Sequence, residues 1–276
     1  VNQNDAQRLR TVLDGFADRL GAAGGGEPAV RELLEFARTF ADEDALAALG
    51  AEEITAYREA FAPAALAFTL AEERREARAL LCRSAGADGT VGQLLGENRW
   101  GAYGGMARAL ELFDSAGWTR LAMVGCGLFP DSLFCLHDRT GVPELHGFDR
   151  DPEAVAIAGE LVARLGLDRI TLDRADAAEL DYGAYDAICC SAFAAPRNPI
   201  LARIAMTAPA GAAVLLREPV SIGTILFEAS PTELPDGLEV RARREPAGGP
   251  FRLAYVAAVT ESRNERSMNP SGIAAT

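Results

Sequence analysis

The sequence contains no lysine; all 27 basic residues are arginine. That single absence excludes two chemistries. A pyridoxal phosphate enzyme holds its cofactor as a Schiff base on a lysine, and a Walker A loop needs a lysine on the nucleotide phosphates. Histidine is almost as scarce, present only at His137 and His146, so a histidine-rich metal site is not expected. The five cysteines show no paired spacing, although Cys189 and Cys190 are neighbours. They read as reduced, mostly buried thiols of a cytoplasmic protein. Positive charge is in deficit, with 40 acidic residues against 27 basic ones and a net charge of −13. Nucleic acid is therefore not an expected partner, because phosphate binding needs basic stripes. No apolar run reaches the roughly 18 residues that span a membrane, Arg203 interrupting the best candidate. The polar start, with its alternating charges, does not read as a signal peptide.

What is present is a chain of 276 residues, 49% of them hydrophobic. That is enough for a full core in one large domain or two smaller ones. Residues 1–117 read as helical. Leu9, Val12, Leu13, Phe16 and Leu20 recur at helical spacing, and Gly21 to Gly26 breaks the pattern. Further helical segments are expected near 28–41, 52–62, 64–84 and 98–116, with loops at Gly86–Gly89 and at Gly104–Gly105. From residue 118 the grammar changes to strand–helix alternation, which implies a parallel sheet with helices on both faces. Strands are predicted near 120–125, 144–149, 169–173, 185–191 and 212–217. Two more, near 238–245 and 251–260, would form a hairpin around Gly248-Gly249-Pro250. Helices are predicted near 131–138, 152–165 and 197–207, the second opening on Asp151-Pro152. Residues 263–276 read as a polar, flexible tail.

The densest signal is Arg120-Leu-Ala-Met-Val-Gly-Cys-Gly-Leu-Phe-Pro130, followed by Phe148-Asp-Arg-Asp-Pro152. It reads as a strand, a glycine turn, a helix, a second strand and an acid at that strand's end. An open α/β sheet holds an adenosine ligand with this layout: glycines let the backbone turn tightly beneath the ligand, and the acid accepts from ribose hydroxyls. A dinucleotide fingerprint would need glycine where Pro130 stands, so S-adenosylmethionine (SAM) fits better than NAD. The competing reading is a strand-to-helix turn without a ligand. Seven strands ending in an antiparallel hairpin, with a helical cap over residues 1–117 and a Rossmann-like domain over 118–262, is the layout of the SAM-dependent methyltransferase fold.

Gly125-Cys-Gly-Leu-Phe-Pro130 resembles the Gly-Ser-Gly-Pro-Leu-Pro turn of nicotianamine synthases more closely than the usual methyltransferase loop. Asp149-Arg-Asp-Pro-Glu153 resembles that family's Asp-Ile-Asp-Pro segment. Trp100-Gly-Ala-Tyr103, with Met106, Leu110 and Glu111, is similar to its Tyr-rich segment, and Ala208–Arg217 to its Ala-Pro-Gly-Ala-Leu-Leu-Val-Val-Arg strand. The resemblance covers residues 65–260 and implies an unusual use of SAM. An amine attacks the γ-carbon of the methionine part and 5′-methylthioadenosine leaves. In the family the aminocarboxypropyl unit passes to another amine. In azetidine-2-carboxylate synthases SAM's own amine attacks. The family follows its strand arginine with Ser-Ala-His-Gly-Ala-Arg, whereas Arg217 is followed by Glu218-Pro-Val-Ser-Ile-Gly223. Loss of the second arginine, if it anchors an acceptor's carboxylate, favours self-cyclisation.

Gly125 and Gly127 are expected beside the methionine part, with Cys126 between them, and Asp149 on the ribose, with Arg150 next to it. Asp149 could instead be a helix-capping acid. Asp176, with Ala177, stands where this fold places an acid on the adenine amino group, or is a solvated loop acid. Ser191 and Phe193 are expected at the crevice. Ser191 lacks the Gly-x-Ser-x-Gly surroundings of a hydrolase nucleophile. The resemblance implies Tyr103 and Glu76 as the residues contacting the reacting amine. Glu73 is the neighbouring-register alternative to Glu76. Tyr103 could equally be a packing aromatic, Glu76 a solvated charge, and Trp100 a core residue or a cation–π partner of the sulfonium. The expected reaction is cyclisation of SAM, the substrate, without metal or pyridoxal phosphate. The rivals are aminocarboxypropyl transfer to a small amine or amino acid, ordinary methyl transfer, and SAM binding without catalysis. The expected partner is a small molecule, with a homodimer left open and no membrane or nucleic acid.

Overall fold

The computed structural model describes residues 3–21, 26–40, 43–83, 102–112, 115–219, 221–228, 233–243 and 251–259. The expected loop at Gly86–Gly89, Trp100, the turn at Gly248–Pro250 and the tail lie outside them. Strands β1 (Arg120–Val124), β2 (Glu144–Asp149), β3 (Ile170–Arg174), β4 (Ala187–Cys190), β5 (Ala213–Pro219), β6 (Leu238–Arg243) and β7 (Phe251–Val259) form one sheet in the order β3-β2-β1-β4-β5-β7-β6. The strands from β3 to β5 in that order are parallel, and β7 runs antiparallel to both β5 and β6. From β1 the chain steps one way to β2 and later crosses to β4 on the other side. That reversal opens a crevice at the carboxyl ends of β1 and β4, where ligands of open α/β sheets bind.

Side chains alternate between the two sheet faces with period two. Leu121, Met123, Cys189 and Leu215 enter one core, and Ala122, Val124, Ile188, Cys190, Val214 and Leu216 the other. Helices cover both faces, which is why the strands read as nearly continuous apolar runs. They are α6 (Asp131–Arg139), α7 (Pro152–Leu165) and α8 (Arg197–Thr207). Local chemistry sets the ends of α7. Asp151 accepts from the Glu153 N–H (2.9 Å), proline occupies the first position, and Gly166 closes the helix at φ +65°, all favoured end signals.

Before the sheet come α1 (Gln3–Gly21), α2 (Gly26–Thr39), α3 (Glu43–Ala47), α4 (Ala51–Arg83) and α5 (Ala102–Ala109), the last running into a 3₁₀ turn at Leu110–Leu112. The segments expected at 52–62 and 64–84 are one helix, with Pro63 inside it. Proline removes one hydrogen bond and crowds the preceding turn. Alanines on both sides favour helix, and burial of Phe61, Ala65 and Phe68 holds the helix through the fault. Leu9, Leu13, Phe16, Leu33, Phe61 and Phe68 form a third core, completed by Ile222, Ile225, Leu226 and Phe227 from the 3₁₀ turn Ser221–Ile225 and the residues after it. The Arg58 guanidinium ties the two parts together by donating to the Thr224 carbonyl (2.7 Å).

α4 changes neighbours partway along. Its first half packs Phe61, Ala65 and Phe68 into the helical core. Its second half packs Ala77 and Leu80 against the sheet-side core. The buried face therefore rotates along the helix, and the rotation decides which glutamate faces the crevice.

Candidate functional site

The site is built around Gly125-Cys126-Gly127, where β1 turns towards α6. Both glycines have φ +71°, a conformation that costs an L-residue about 1–2 kcal/mol. The N–H groups of Gly125 and Cys126 donate to the Phe148 carbonyl (2.9 and 3.1 Å). The Gly127 N–H donates to Asp149 Oδ2 (2.9 Å), and Asp149 Oδ1 accepts from the Asp151 N–H (3.0 Å). Asp149 thus fastens the turn to the end of β2 and helps to start the loop into α7.

Ser191 closes the other side. Its N–H donates to the Val124 carbonyl (2.9 Å), and a Cβ on Gly125 would sit 3.2 Å from the Ser191 Cβ. The Ser191 hydroxyl accepts from the Phe193 N–H (3.3 Å). The Phe193 ring stands edge-on to Phe227, with centroids 4.9 Å apart. The glycine turn, Asp149 and Ser191 are therefore brought together. Ala175 N–H donates to the Asp149 carbonyl (2.9 Å), so Asp176 follows just beyond the end of β2. Asp176 is exposed and accepts from the Ala178 N–H (2.9 Å), while the Ala177 carbonyl is taken by the Tyr182 hydroxyl (2.9 Å). Arg150 is exposed and reaches the Ala195 carbonyl (3.4 Å).

The acid over the turn is Glu73. Its Oε2 accepts from the Leu128 N–H (3.2 Å), and its carboxyl also accepts from the Phe129 N–H. A Cβ on Gly127 would lie 2.9 Å from Oε2, so a side chain there, besides straining the backbone at φ +71°, would push the Glu73 carboxyl off the turn. Burial pushes the Glu73 carboxyl up to about 8; the negative charges of Asp131 and Asp149 push the same way, against the two N–H groups. The Cys126 thiol is pushed up to about 12, by burial and then by Asp149 and Glu73. This thiol is protonated at neutral pH and is no nucleophile. Among the described residues no group of three or more His, Cys, Asp or Glu could hold a metal ion.

Glu76, expected at the reacting amine, is not the glutamate on the turn. Glu73 precedes the buried Ala77 by four residues and Leu80 by seven, the spacing of one helix face, whereas Glu76 is half-buried on the flank of that stripe. The neighbouring charges point elsewhere. Arg74 pairs with Glu153 on α7 through two hydrogen bonds of 3.0 and 2.7 Å, and Glu72 pairs with Arg75. Tyr103 is also displaced from its expected place. Its hydroxyl donates to Asp138 (2.8 Å), about two turns along α6 from the glycine turn. Burial and the bond to Asp138 push it up to about 12.

Two arginines complete the setting. Arg197, fully buried, donates to the carbonyls of Ser191 and Arg217 (both 2.9 Å), fixing the ends of β4 and β5. No sequence pattern marked Arg197, because arginine is ordinarily a surface residue; the only hint is its place just after the strand end, where two carbonyls need donors. Half-buried Arg217 reaches across to the Ser132 hydroxyl (3.3 Å) at the start of α6.

No protein-family model and no curated protein matches the sequence. Solved structures do match its fold. A glutamate-to-glutamine mutant of MtNAS in complex with S-adenosylmethionine aligns over 90% of this chain and 97% of its own, with a TM-score of 0.74 and 16% identity. MtNAS in complex with MTA and tNA aligns over 95% of this chain and 99% of its own, with a TM-score of 0.72 and 17% identity. The chain is thus nicotianamine synthase-like in fold over nearly its whole length, helices and sheet together.

Proposed function

We propose that the chain is a SAM-consuming enzyme in which an amine attacks the γ-carbon of the methionine part and 5′-methylthioadenosine leaves. The observation that carries this reading is the Glu73 carboxyl held over the glycine turn, with a pKa raised to about 8. SAM would lie across the turn, its ribose towards Asp149 and its amino-acid end towards Glu73. SAM bears two positive charges there, a sulfonium and an ammonium. Asp131 and Asp149 supply opposing charge, and the two positive charges of SAM would favour the ionised form of Glu73, which adds to it. SAM is also the ligand of the MtNAS mutant, and MTA, the thioether this reaction would release, is a ligand of MtNAS itself.

The amine can attack only unprotonated. An α-ammonium titrates at about 7.7–8.0, close to the Glu73 carboxyl at about 8. Proton transfer between them is therefore nearly level, the condition under which a general base works best. Glu73 takes the proton, the nitrogen lone pair forms the C–N bond, and the C–S electron pair returns to sulfur as a neutral thioether. No second reactant is needed when the amine is SAM's own, and the product is then azetidine-2-carboxylate. The segment after Arg217 supports this form, since it lacks the second arginine of the family pattern. Closing a four-membered ring is a matter of conformation. Holding nitrogen over the γ-carbon in a near-attack geometry can supply about 7–11 kcal/mol, and the helices before the sheet would exclude competing water.

The test is incubation of the protein with SAM alone, with products read by mass spectrometry. Methylthioadenosine together with azetidine-2-carboxylate is the expected result. Methylthioadenosine only after an amine is added would replace cyclisation by transfer to an acceptor. S-adenosylhomocysteine would mean methyl transfer and would overturn the reading, as would SAM binding with no turnover under any condition.

A further inference from the structure

Glu73 has a counterpart of opposite sign across the start of α6. Leu215 faces the core on the α6 side of the sheet, so Arg217, two residues on, faces that side too. Its Nη1 donates to the Ser132 hydroxyl (3.3 Å). Its Nη2 lies against Gly105 of α5, where a Cβ would already be in contact at 3.5 Å. Burial lowers the Arg217 pKa most; Asp131 opposes that shift, and Arg108, on the same helix as Gly105, adds to it. The Arg217 guanidinium thus sits between α5 and α6, at Gly105 on one side and Ser132 on the other. Its backbone is fixed as well, because Arg197 binds the Arg217 carbonyl (2.9 Å). The start of α6 therefore has a carboxyl on one side, at Leu128 and Phe129, and a guanidinium on the other, at Ser132.

We propose that Arg217 anchors the α-carboxylate of the bound amino-acid moiety, so that Glu73 and Arg217 grip the two ends of one zwitterion across the start of α6. The inference rests on the SAM reading and extends it. With the carboxylate held, rotation about the α-carbon is restricted and the amine is presented to Glu73 and the γ-carbon together. A guanidinium suits this role because its planar fork can bind a carboxylate through two parallel bonds.

The experiment measures the affinities of SAM, decarboxylated SAM and methylthioadenosine for the wild-type chain, Arg217→Met and Arg217→Lys. Hydrogen bonds to charged groups are worth about 1.5–3 kcal/mol, so wild type should prefer SAM to its decarboxylated analogue by roughly 10- to 150-fold. Arg217→Met should bring that ratio close to one and leave methylthioadenosine binding unchanged; Arg217→Lys should retain part of the preference. A ratio unchanged in Arg217→Met overturns the proposal, as does a wild type that binds SAM and its analogue equally well. Should Arg217→Met fail to fold, Arg217→Lys decides: a preference as strong as wild type's counts against a forked anchor, a reduced one supports it. A wild type that binds neither SAM nor methylthioadenosine would overturn the SAM reading itself, a result distinct from loss of the carboxylate preference.

Discussion

The two ends of α6 are built from similar side chains and behave differently. At its far end the tyrosine and the arginine are both matched, although the buried ring nitrogens of His137 find no hydrogen-bond partner. Tyr103 donates to Asp138, and the Arg169 guanidinium donates to the carbonyls of His137, Thr140 and Val142 where the helix gives way to the loop. At its near end Glu73 is driven to about 8 by burial and then by the negative charges of Asp131 and Asp149. The first arrangement finishes a helix. The second opposes ionisation even against two N–H donors, and such perturbed carboxyls cluster at functional sites. Tyr103 and Glu73 are separated by which end of one helix each one meets.

That contrast can be broken most sharply at Glu73. Glu73→Gln should lower methylthioadenosine release from SAM by about 10²–10⁴-fold, the usual worth of a general base, while SAM binding persists. Glu76→Gln should stay within about twofold in the same assay. If Glu76→Gln proves the more damaging change, the register assigned to α4 is wrong. Gly127→Ala comes next. Its Cβ would meet Glu73 Oε2 at 2.9 Å at a φ of +71°, so SAM affinity measured by calorimetry should fall about tenfold, with about 1–2 kcal/mol of stability lost.

The third test reads the Glu73 carboxyl through stability. Its pKa is raised in the folded chain from 4.5 to about 8, so between those values the folded state holds a proton that the unfolded state has released. Stability should therefore fall as pH rises through that window, by up to about 1.4 kcal/mol per unit, and level off above it. Denaturant titrations at several pH values should show this slope in wild type and lose it in Glu73→Gln. The smallest effect belongs to Tyr103→Phe. Removing one hydrogen bond to a carboxylate should cost about 1.5 kcal/mol in denaturant unfolding, the low end of the range for a half-buried pair, with turnover within about twofold. A large loss of turnover would show that the far end of α6 takes part in the chemistry after all.

The strand–turn–helix order around Gly125–Gly127 and Asp149 was legible because covalent rules dictate it: glycines where φ must be positive, an acid at a strand end, Asp151-Pro152 opening a helix. Glu73 was harder to read. A helical period reveals which residues share a face, and α4 uses two faces in turn, Phe61–Ala65–Phe68 and then Glu73–Ala77–Leu80. A charged run lies across the changeover, so periodicity alone could not choose between Glu73 and Glu76. Pro63 misled for a related reason: its local penalty is outweighed by tertiary packing, which sequence does not display. Arg197 was invisible because its value lies in two carbonyls that only the assembled sheet brings within reach.

The third core has a consequence for how the molecule is made. Its helical walls come from α1 to α4, but Ile222, Ile225 and Leu226, each fully buried there, follow about 140 residues after α4 ends. At a synthesis rate of about 5–20 residues per second, the helices emerge from the ribosome roughly 7–28 s before the segment that fills them. During that interval Leu13, Leu33 and Phe61 face an unfinished interior. The nascent chain thus has a built-in waiting period in which chaperone capture or premature collapse competes with correct closure, and substitutions near residue 222 should show first in cellular yield.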